Sequence, residues 1–125
     1  MYEFNNQEPI YLQLIEIIKS QIVSGELKED EKICSVRELA VQYGVNPNTV
    51  QKALSELERE GLIRTERTSG RYVAISSDKS FEVKNDFVNK QTNAYVNKMK
   101  SLSLTDKEII SEVKKALIRE ENSNV

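Results

Sequence analysis

Hydrophobic positions recur at helical spacing in the first part of the chain. Between residues 9 and 24, isoleucine, leucine and tyrosine side chains return every three or four positions, and Gly25 follows where a left-handed cap ends a helix. Ser35-Val36-Arg37-Glu38 has the form of a capping box, in which the serine and glutamate side chains each accept from a backbone amide. The pattern predicts a first helix over residues 9–24 and a short second helix that ends at Gly44.

A third helix is predicted to begin almost at once. Only Val45 separates Gly44 from Asn46-Pro47, an N-cap residue followed by a proline suited to the first helical position, and Gly61 marks the end of this helix. One side of the helix is polar and the other is apolar. The apolar stripe consists of Val50, Ala53, Leu54 and Leu57. Two short helices joined by so tight a turn predict a helix-turn-helix.

β-Branched and aromatic residues replace the helical pattern after Gly61. Residues 62–66 and 71–75 have strand propensity, and they are joined by Arg67-Thr68-Ser69-Gly70, so the sequence predicts a hairpin. A hairpin directly after the third helix is a wing. The predicted fold class is therefore mainly α with a small β-hairpin, in the form of a winged helix-turn-helix.

The remainder of the chain predicts two more helices. Residues 76–80 are small and polar and are interpreted as a linker, followed by a helix over about residues 81–101 and a second that opens with the capping box Thr105-Asp106-Lys107-Glu108. Two amphipathic helices of this length do not enclose a core alone, so their apolar faces need the first domain or a second copy of the chain. We predict a winged helix-turn-helix domain over residues 1–76 and a helical segment over residues 77–125 that forms a homodimer.

Composition argues against several classes of function. The 125 residues include no histidine and one cysteine, Cys34, which disfavours a zinc site, a histidine-based triad and an intrachain disulfide. The sequence contains no run of about 18 apolar residues, so a membrane role is not expected. The first residues also lack the pattern of a secretory signal. We predict a cytoplasmic protein that is not an enzyme and uses no metal or cofactor.

The charge distribution is unfavourable for binding a polyanion. Residues 1–78 carry 9 Lys and Arg against 13 Asp and Glu, whereas residues 79–125 carry 9 against 7. The acidic side chains cluster at residues 26–31 and 56–60, while three arginines gather around the hairpin. Because phosphate contacts depend on the field within a Debye length of about 8–10 Å, a basic face on an acidic domain can still bind DNA.

Five stretches of the chain occur together in a fixed order. They are Pro9-Ile10-Tyr11, Ser24-Gly25-Glu26-Leu27, Ser35-Val36-Arg37-Glu38-Leu39-Ala40, Gly44-Val45-Asn46-Pro47-Asn48-Thr49-Val50 and Leu57-Glu58-Arg59-Glu60-Gly61-Leu62-Ile63. Over about residues 9–75 they closely resemble the GntR family of bacterial regulators. The short two-helix remainder resembles the YtrA-type subfamily, whose C-terminal part mainly dimerises. The resemblance implies a DNA-binding transcription regulator that acts on its own operon.

The chain departs from the family pattern in two places. The loop before the second helix usually contains Pro-Gly where this chain has Glu29-Asp30, and a proline usually stands at Cys34. The wing usually reads Gly-x-Gly-Thr, whereas Thr68-Ser69-Gly70-Arg71 keeps only the second glycine and has arginine in place of threonine. The loop is expected to be looser, and Cys34 is interpreted as a small, partly buried residue without a function.

Residues of the helix-turn-helix are candidates for two kinds of DNA contact. A helix about 10–12 Å across fits the major groove, where side chains of its N-terminal turns reach base edges. Asn48, Gln51 and Lys52 are predicted to read bases, because amides bond adenine in bidentate fashion and lysine donates to guanine. Phosphate contacts are predicted for Ser35, Arg37 and Thr49, which lie at or near helix N-termini. The N-cap residue Asn46 is also counted among the DNA-binding candidates. The resemblance supports Arg37 and Thr49 especially.

The wing supplies the remaining candidates. Arg64, Arg67, Gly70 and Arg71 are predicted to follow the DNA backbone or a minor groove, with Gly70 allowing close approach. Several candidates also have an interpretation without DNA: the polar face of the third helix is then simply solvated, and Thr49 only supports the start of that helix. Arg37 then pairs with nearby carboxylates, and Arg64 and Arg67 are strand-surface charges.

Two functions stay open from the sequence. The first is a homodimeric repressor that binds double-stranded, near-palindromic operator DNA with half-sites about 10–10.5 bp apart. The alternative is a winged helix used for protein association without specific DNA binding, which the acidic first domain and the altered wing favour. An unidentified small-molecule effector at the dimer interface or linker is a further open partner.

Overall fold

The computed structural model describes residues 3–123, except for the side chain of Ser77. Over these residues five helices and two strands follow one another. They are α1 (Ile10–Val23), α2 (Val36–Tyr43), α3 (Pro47–Arg59), β1 (Ile63–Glu66), β2 (Gly70–Val73), α4 (Ser77–Ser101) and α5 (Asp106–Ser123). The order confirms the predicted fold class, mainly α with a small β-hairpin and two C-terminal helices.

The turn between α2 and α3 is as tight as the sequence predicts. Gly44 has a φ of +66°, a left-handed conformation that glycine adopts without steric cost, and its amide donates to the Val41 carbonyl at 3.3 Å. The Val45 amide then donates to the Ala40 carbonyl at 3.0 Å. Asn46 follows as the N-cap of α3. The predicted helix-turn-helix is confirmed.

The apolar stripes of α1 and α3 pack against each other and form the main core. The stripe residues Leu14, Ile18, Val50, Leu54 and Leu57 are all at most 1% exposed. Leu62, Ile63 and Val73 extend this core into the start of the hairpin. Because the core holds one side of α3, the opposite side of that helix faces solvent.

The wing is an antiparallel hairpin whose second strand also pairs with the loop before α2. Ile63 pairs with Val73 and Glu66 with Gly70. On the other edge of β2, the Asp30 amide donates to the Val73 carbonyl at 3.0 Å and the Ile33 amide donates to the Arg71 carbonyl at 2.8 Å. Asp30 has a φ of +66° in this loop. The loop is thus anchored to the wing through its backbone.

The prediction of a linker over residues 76–80 is wrong, because α4 begins at Ser77. The Ser76 hydroxyl accepts from the Lys79 amide at 3.3 Å, and the Ser76 carbonyl accepts from the Ser80 amide at 2.8 Å. Small polar residues therefore cap a helix here instead of forming a flexible connection. Val83 in this part of α4 packs against the core of the first domain.

The chain divides into two compact units, of which the first ends at Lys84 and the second begins at Asn85. In the second unit, Thr105 caps α5: its hydroxyl accepts from the Glu108 amide at 3.2 Å, and its amide donates to the Glu108 carboxylate at 2.9 Å. The predicted capping box is confirmed. Across residues 3–123, no helix has the length and apolar character that a membrane span requires.

Candidate nucleic-acid interface

The N-terminus of α2 carries the first group of predicted contacts. The Ser35 hydroxyl accepts from the Glu38 amide at 3.1 Å, and the Glu38 carboxylate accepts from the Ser35 amide at 3.1 Å. These bonds, the one from the Ser35 backbone first, lower the pKa of Glu38 below its usual value of 4.5. The capping carboxylate already occupies part of this helix end, so binding of a phosphate here depends on the exposed guanidinium of Arg37.

The N-terminus of α3 is held by Asn46, whose side-chain oxygen accepts from the Asn48 amide at 2.8 Å. The Asn46 carbonyl also accepts from the Thr49 amide at 2.9 Å. Asn48 is exposed and Thr49 is half-buried in this first turn. Asn46 therefore fixes the start of the helix that presents the other two side chains.

The solvent-facing side of α3 brings the predicted base-reading residues together. Gln51 and Lys52 are exposed one turn after Asn48. The Gln51 amide nitrogen lies 3.4 Å from the Ser55 hydroxyl, and the Lys52 ammonium lies 3.9 Å from the centroid of the Tyr11 ring. A cation at this distance is attracted to the face of the ring. Lys52 is thereby held at the edge of an open groove of about 430 Å³, lined by Ile10, Tyr11, Asn48, Thr49 and Lys52.

Arg64 pairs with carboxylates of the first domain and does not join the predicted base-reading residues of α3. Its guanidinium lies 2.9 Å from Asp30 and 2.9 Å from Glu66, and it donates to the Val73 carbonyl at 3.1 Å. The hydrogen bond to Glu66 is the main cause that raises the pKa of Arg64. The charge of Arg64 is therefore balanced at the base of the wing, which matches the interpretation as a strand-surface charge more closely than a DNA contact.

The other wing candidates lie in three different settings. Arg67 is exposed in the hairpin turn. Gly70 has a φ of +121°, and a Cβ there would lie 3.1 Å from the Lys32 side chain, so its backbone conformation alone explains the glycine. Arg71 turns towards α3, where its guanidinium lies 3.4 Å from the Gln51 side-chain oxygen. The structure thus brings Arg71, and not Arg64, to the predicted base-reading residues.

The acidic side chains of α3 lie at its far end. Glu60 pairs with Lys19 at 3.0 Å, and Glu56 pairs with Arg59. Glu60 follows Asn48 by twelve positions, which at a rise of 1.5 Å per residue is about 18 Å and exceeds a Debye length of about 8–10 Å. Glu60 is therefore largely screened from the first turn of α3, and Glu56, which lies nearer to Lys52, is balanced by its ion pair with Arg59.

Two residues have settings that the sequence did not indicate. Tyr11 was expected only as part of the apolar stripe of α1, but its ring contacts Lys52, and no feature of the helical pattern distinguishes it from its neighbours. Cys34 is exposed, so the expectation of a partly buried residue is wrong. Among residues 3–123 no group of three or more Asp, Glu, Cys or His side chains is arranged to hold a metal ion.

The chain is similar to known regulators over most of its length. A model of the family "Bacterial regulatory proteins, gntR family" matches residues 10–73. The uncharacterised HTH-type transcriptional regulator YhcF of Bacillus subtilis (strain 168) is 38% identical over 112 residues, which cover 90% of this chain and 93% of that protein. The HTH-type transcriptional repressor YtrA of the same strain is 50% identical over 66 residues, which cover 53% of this chain and 51% of that protein.

One solved structure extends the comparison to a nucleic-acid complex. The structure of AraR(DBD) with operator ORR3 has a TM-score of 0.53 and 34% identity to this chain, and it covers 59% of this chain and 89% of the solved one. The sequence matches confirm the resemblance drawn from the five stretches, including the similarity to YtrA. The chain therefore belongs to the GntR family of bacterial regulatory proteins.

Proposed function

We propose that this chain is a DNA-binding transcription regulator that acts as a homodimeric repressor on a near-palindromic operator. The observation that carries the proposal is the solvent-facing side of α3, where Asn48, Gln51 and Lys52 project from the N-terminal turns of a capped helix. Membership of a regulator family supports it. The operator complex of the AraR domain and the repressor activity in the name of YtrA support DNA as the partner and repression as the outcome.

The chemistry of α3 suits reading of base edges in the major groove. The Asn48 side chain is exposed at the first turn and offers a donor and an acceptor, which match the N6 and N7 groups of adenine. Lys52 offers donors that match the O6 and N7 acceptors of guanine. Each good base contact contributes about 1–3 kcal/mol of discrimination, so a few such contacts per protomer specify a half-site.

Phosphate contacts are assigned to the exposed cations near this helix. Arg37 and Arg67 make no ion pair within residues 3–123, and both are exposed. Arg37 stands on the first turn of α2 and Arg67 in the hairpin turn, so the two flank α3 along the chain. Such contacts position the domain on the duplex and carry no sequence information themselves.

Exposed apolar side chains of the second unit support a homodimer. Ile110, Val113 and Leu117 lie on one face of α5 at i, i+3 and i+7, and they are 56%, 41% and 62% exposed. An apolar stripe of this kind is stabilised when a second copy covers it. Two-fold symmetry of the dimer then requires two inverted half-sites, for which we expect a spacing of about one helical turn. Binding across a promoter would exclude the polymerase, which gives repression.

Selection of bound sequences from a random DNA pool tests the reading function. Wild-type protein is expected to enrich a near-palindrome, and Asn48→Ala is expected to relax the preference at one base pair of each half-site. Arg59→Ala is the matched control, because Arg59 lies at the other end of α3 and pairs with Glu56. A pool that stays random at moderate salt contradicts specific DNA binding and favours the alternative, a winged helix used for protein association.

The dimer is tested separately by light scattering of the full chain. Wild-type protein is expected to have the mass of two chains, and the double variant Ile110→Asp, Leu117→Asp the mass of one, because two buried carboxylates oppose the apolar contact. Arg119→Asp is the matched control, since it lies two and a half turns from Ile110 and thus on the opposite side of α5. A wild-type protein that stays monomeric at high concentration contradicts the homodimer.

A further inference from the structure

We infer that Arg71 reads a guanine beside α3 and that Gln51 is the positioning residue that holds the Arg71 guanidinium there. The inference rests on the proposed function and assigns one of its base contacts to Arg71. It moves Arg71 from the backbone contacts expected of a wing to the base contacts expected of a recognition helix. It also changes the task of Gln51 from a separate adenine reader to one half of a pair.

The register of the hairpin directs Arg71 towards α3. Arg71 pairs with Thr65 across the ladder, and Val73, two residues further along β2, is 1% exposed in the core. Because side chains of a strand alternate between faces, Arg71 and Val73 project from the same face. That face covers α3, and the Arg71 Nη2 atom lies 3.4 Å from the Gln51 Oε1 atom. The contact joins residues 20 positions apart in the chain.

The charge of Arg71 is not balanced by the chain as described. Arg64 on the neighbouring strand contacts Asp30 and Glu66, and Arg59 contacts Glu56. For Arg71, by contrast, the structure over residues 3–123 provides the neutral oxygen of Gln51 and no carboxylate, and its buried Nε atom has no hydrogen-bond partner. A partly buried cation without a carboxylate partner is costly, and ligand acceptors that bind its terminal Nη donors relieve part of that cost.

The Gln51 amide is already engaged at both ends. Its oxygen accepts from Arg71, and its nitrogen lies 3.4 Å from the Ser55 hydroxyl one turn further along α3. Bidentate pairing of this amide with adenine needs one lone pair of its oxygen and one hydrogen of its nitrogen, so it competes with the contacts that already orient the amide. Retaining them leaves Gln51 in place as a support, while the Nη1 hydrogens and the second Nη2 hydrogen of Arg71 remain available as donors. Guanine, with O6 and N7 acceptors on its major-groove edge, matches an arginine fork.

Binding to operator variants tests the pair in the full chain. Fluorescence anisotropy is measured on the selected operator and on its single-base-pair substitutions, with wild type, Arg71→Met, Gln51→Met, the double variant and Arg59→Ala as control. Arg71→Met is expected to lose about 5- to 150-fold discrimination at one G·C pair per half-site, the range for a bidentate base contact. Gln51→Met is expected to relax the same base pair, and the double variant is expected to lose no more than Arg71→Met alone.

Arg71→Lys separates a fork from a point charge, since lysine keeps the charge and lacks the bidentate geometry. It is expected to leave the preference at that pair relaxed. Two outcomes overturn the inference. If Arg71→Met weakens binding to all operator variants equally, Arg71 contacts a phosphate. If the Arg71 and Gln51 variants relax the preference at different base pairs and their losses add, Gln51 reads a base of its own. Thermal melting of each variant confirms that it is folded. A wild-type protein without sequence preference contradicts the proposed function itself, which distinguishes the two failures.

Discussion

Replacement of Arg37 by alanine tests the electrostatic part of the proposed function. Arg37 is exposed on the first turn of α2, and no ion pair within residues 3–123 involves it. Each phosphate contact contributes about 0.9 to the slope of log affinity against log salt concentration, because binding releases condensed counterions. A homodimer loses two such contacts in Arg37→Ala, so the slope is expected to decrease in magnitude by about 1.8.

The difference in slope converts into an affinity ratio that anisotropy measures directly. Between about 50 mM and 200 mM salt, a slope difference of about 1.8 changes the ratio of wild-type to variant affinity by about 12-fold. The affinity of wild-type protein therefore exceeds that of Arg37→Ala most at low salt, and the difference decreases as the salt concentration rises. Selectivity among operator variants is expected to stay the same, because phosphate contacts are independent of base sequence.

Arg59→Ala is the matched control for this measurement. It removes one positive charge from each protomer, as Arg37→Ala does, but Arg59 is paired with Glu56 at the other end of α3. Its slope is expected to equal that of wild type. An unchanged slope in Arg37→Ala, or an equal decrease in both variants, would refute the assignment of Arg37 to a phosphate.

Three further predictions concern the scaffold of the interface. Asn46→Ala removes the cap of α3 and is expected to lower the free energy of unfolding by about 1 kcal/mol, measured by urea denaturation. Leu54→Ala empties a fully buried position and is expected to cost about 2–5 kcal/mol in the same assay, whereas Val41→Ala, at a position that is 78% exposed, is expected to have little effect. The Ser35 amide lowers the folded pKa of Glu38, so its stabilisation is complete above the usual value of 4.5 and is lost as the pH falls through the folded value. The urea midpoint of Glu38→Gln is therefore expected to fall less than that of wild type between about pH 6 and pH 3.

Features set by neighbouring residues were predictable from the sequence. The capping boxes at Ser35 and Thr105, the cap at Asn46 and the left-handed turn at Gly44 each involve residues within four positions of one another. Helical spacing likewise identified the buried side of α3. Local chemistry of this kind leaves few alternatives, so the helices and the wing follow from it.

Contacts between distant residues were not predictable in the same way. Asp30 and Arg64 are 34 positions apart, and Gln51 and Arg71 are 20 apart. Which of three wing arginines turns to a carboxylate and which to α3 depends on strand register and on the path of the preceding loop, neither of which the helical or strand pattern encodes. The prediction of a linker at residues 76–80 is wrong for another reason, because serine and aspartate favour both linkers and helix caps.

The conformation of Asp30 couples the stability of the loop before α2 to the charge at the base of the wing. Asp30 has a φ of +66°, a conformation that glycine adopts without strain, and its carboxylate also neutralises Arg64. Aspartate and glycine codons differ by one base. A single nucleotide change to glycine would therefore relax the loop and at the same time remove one negative charge at the base of the wing, where Glu66 would remain paired with Arg64. Loop stability and the attraction of the wing to a polyanion would then increase together.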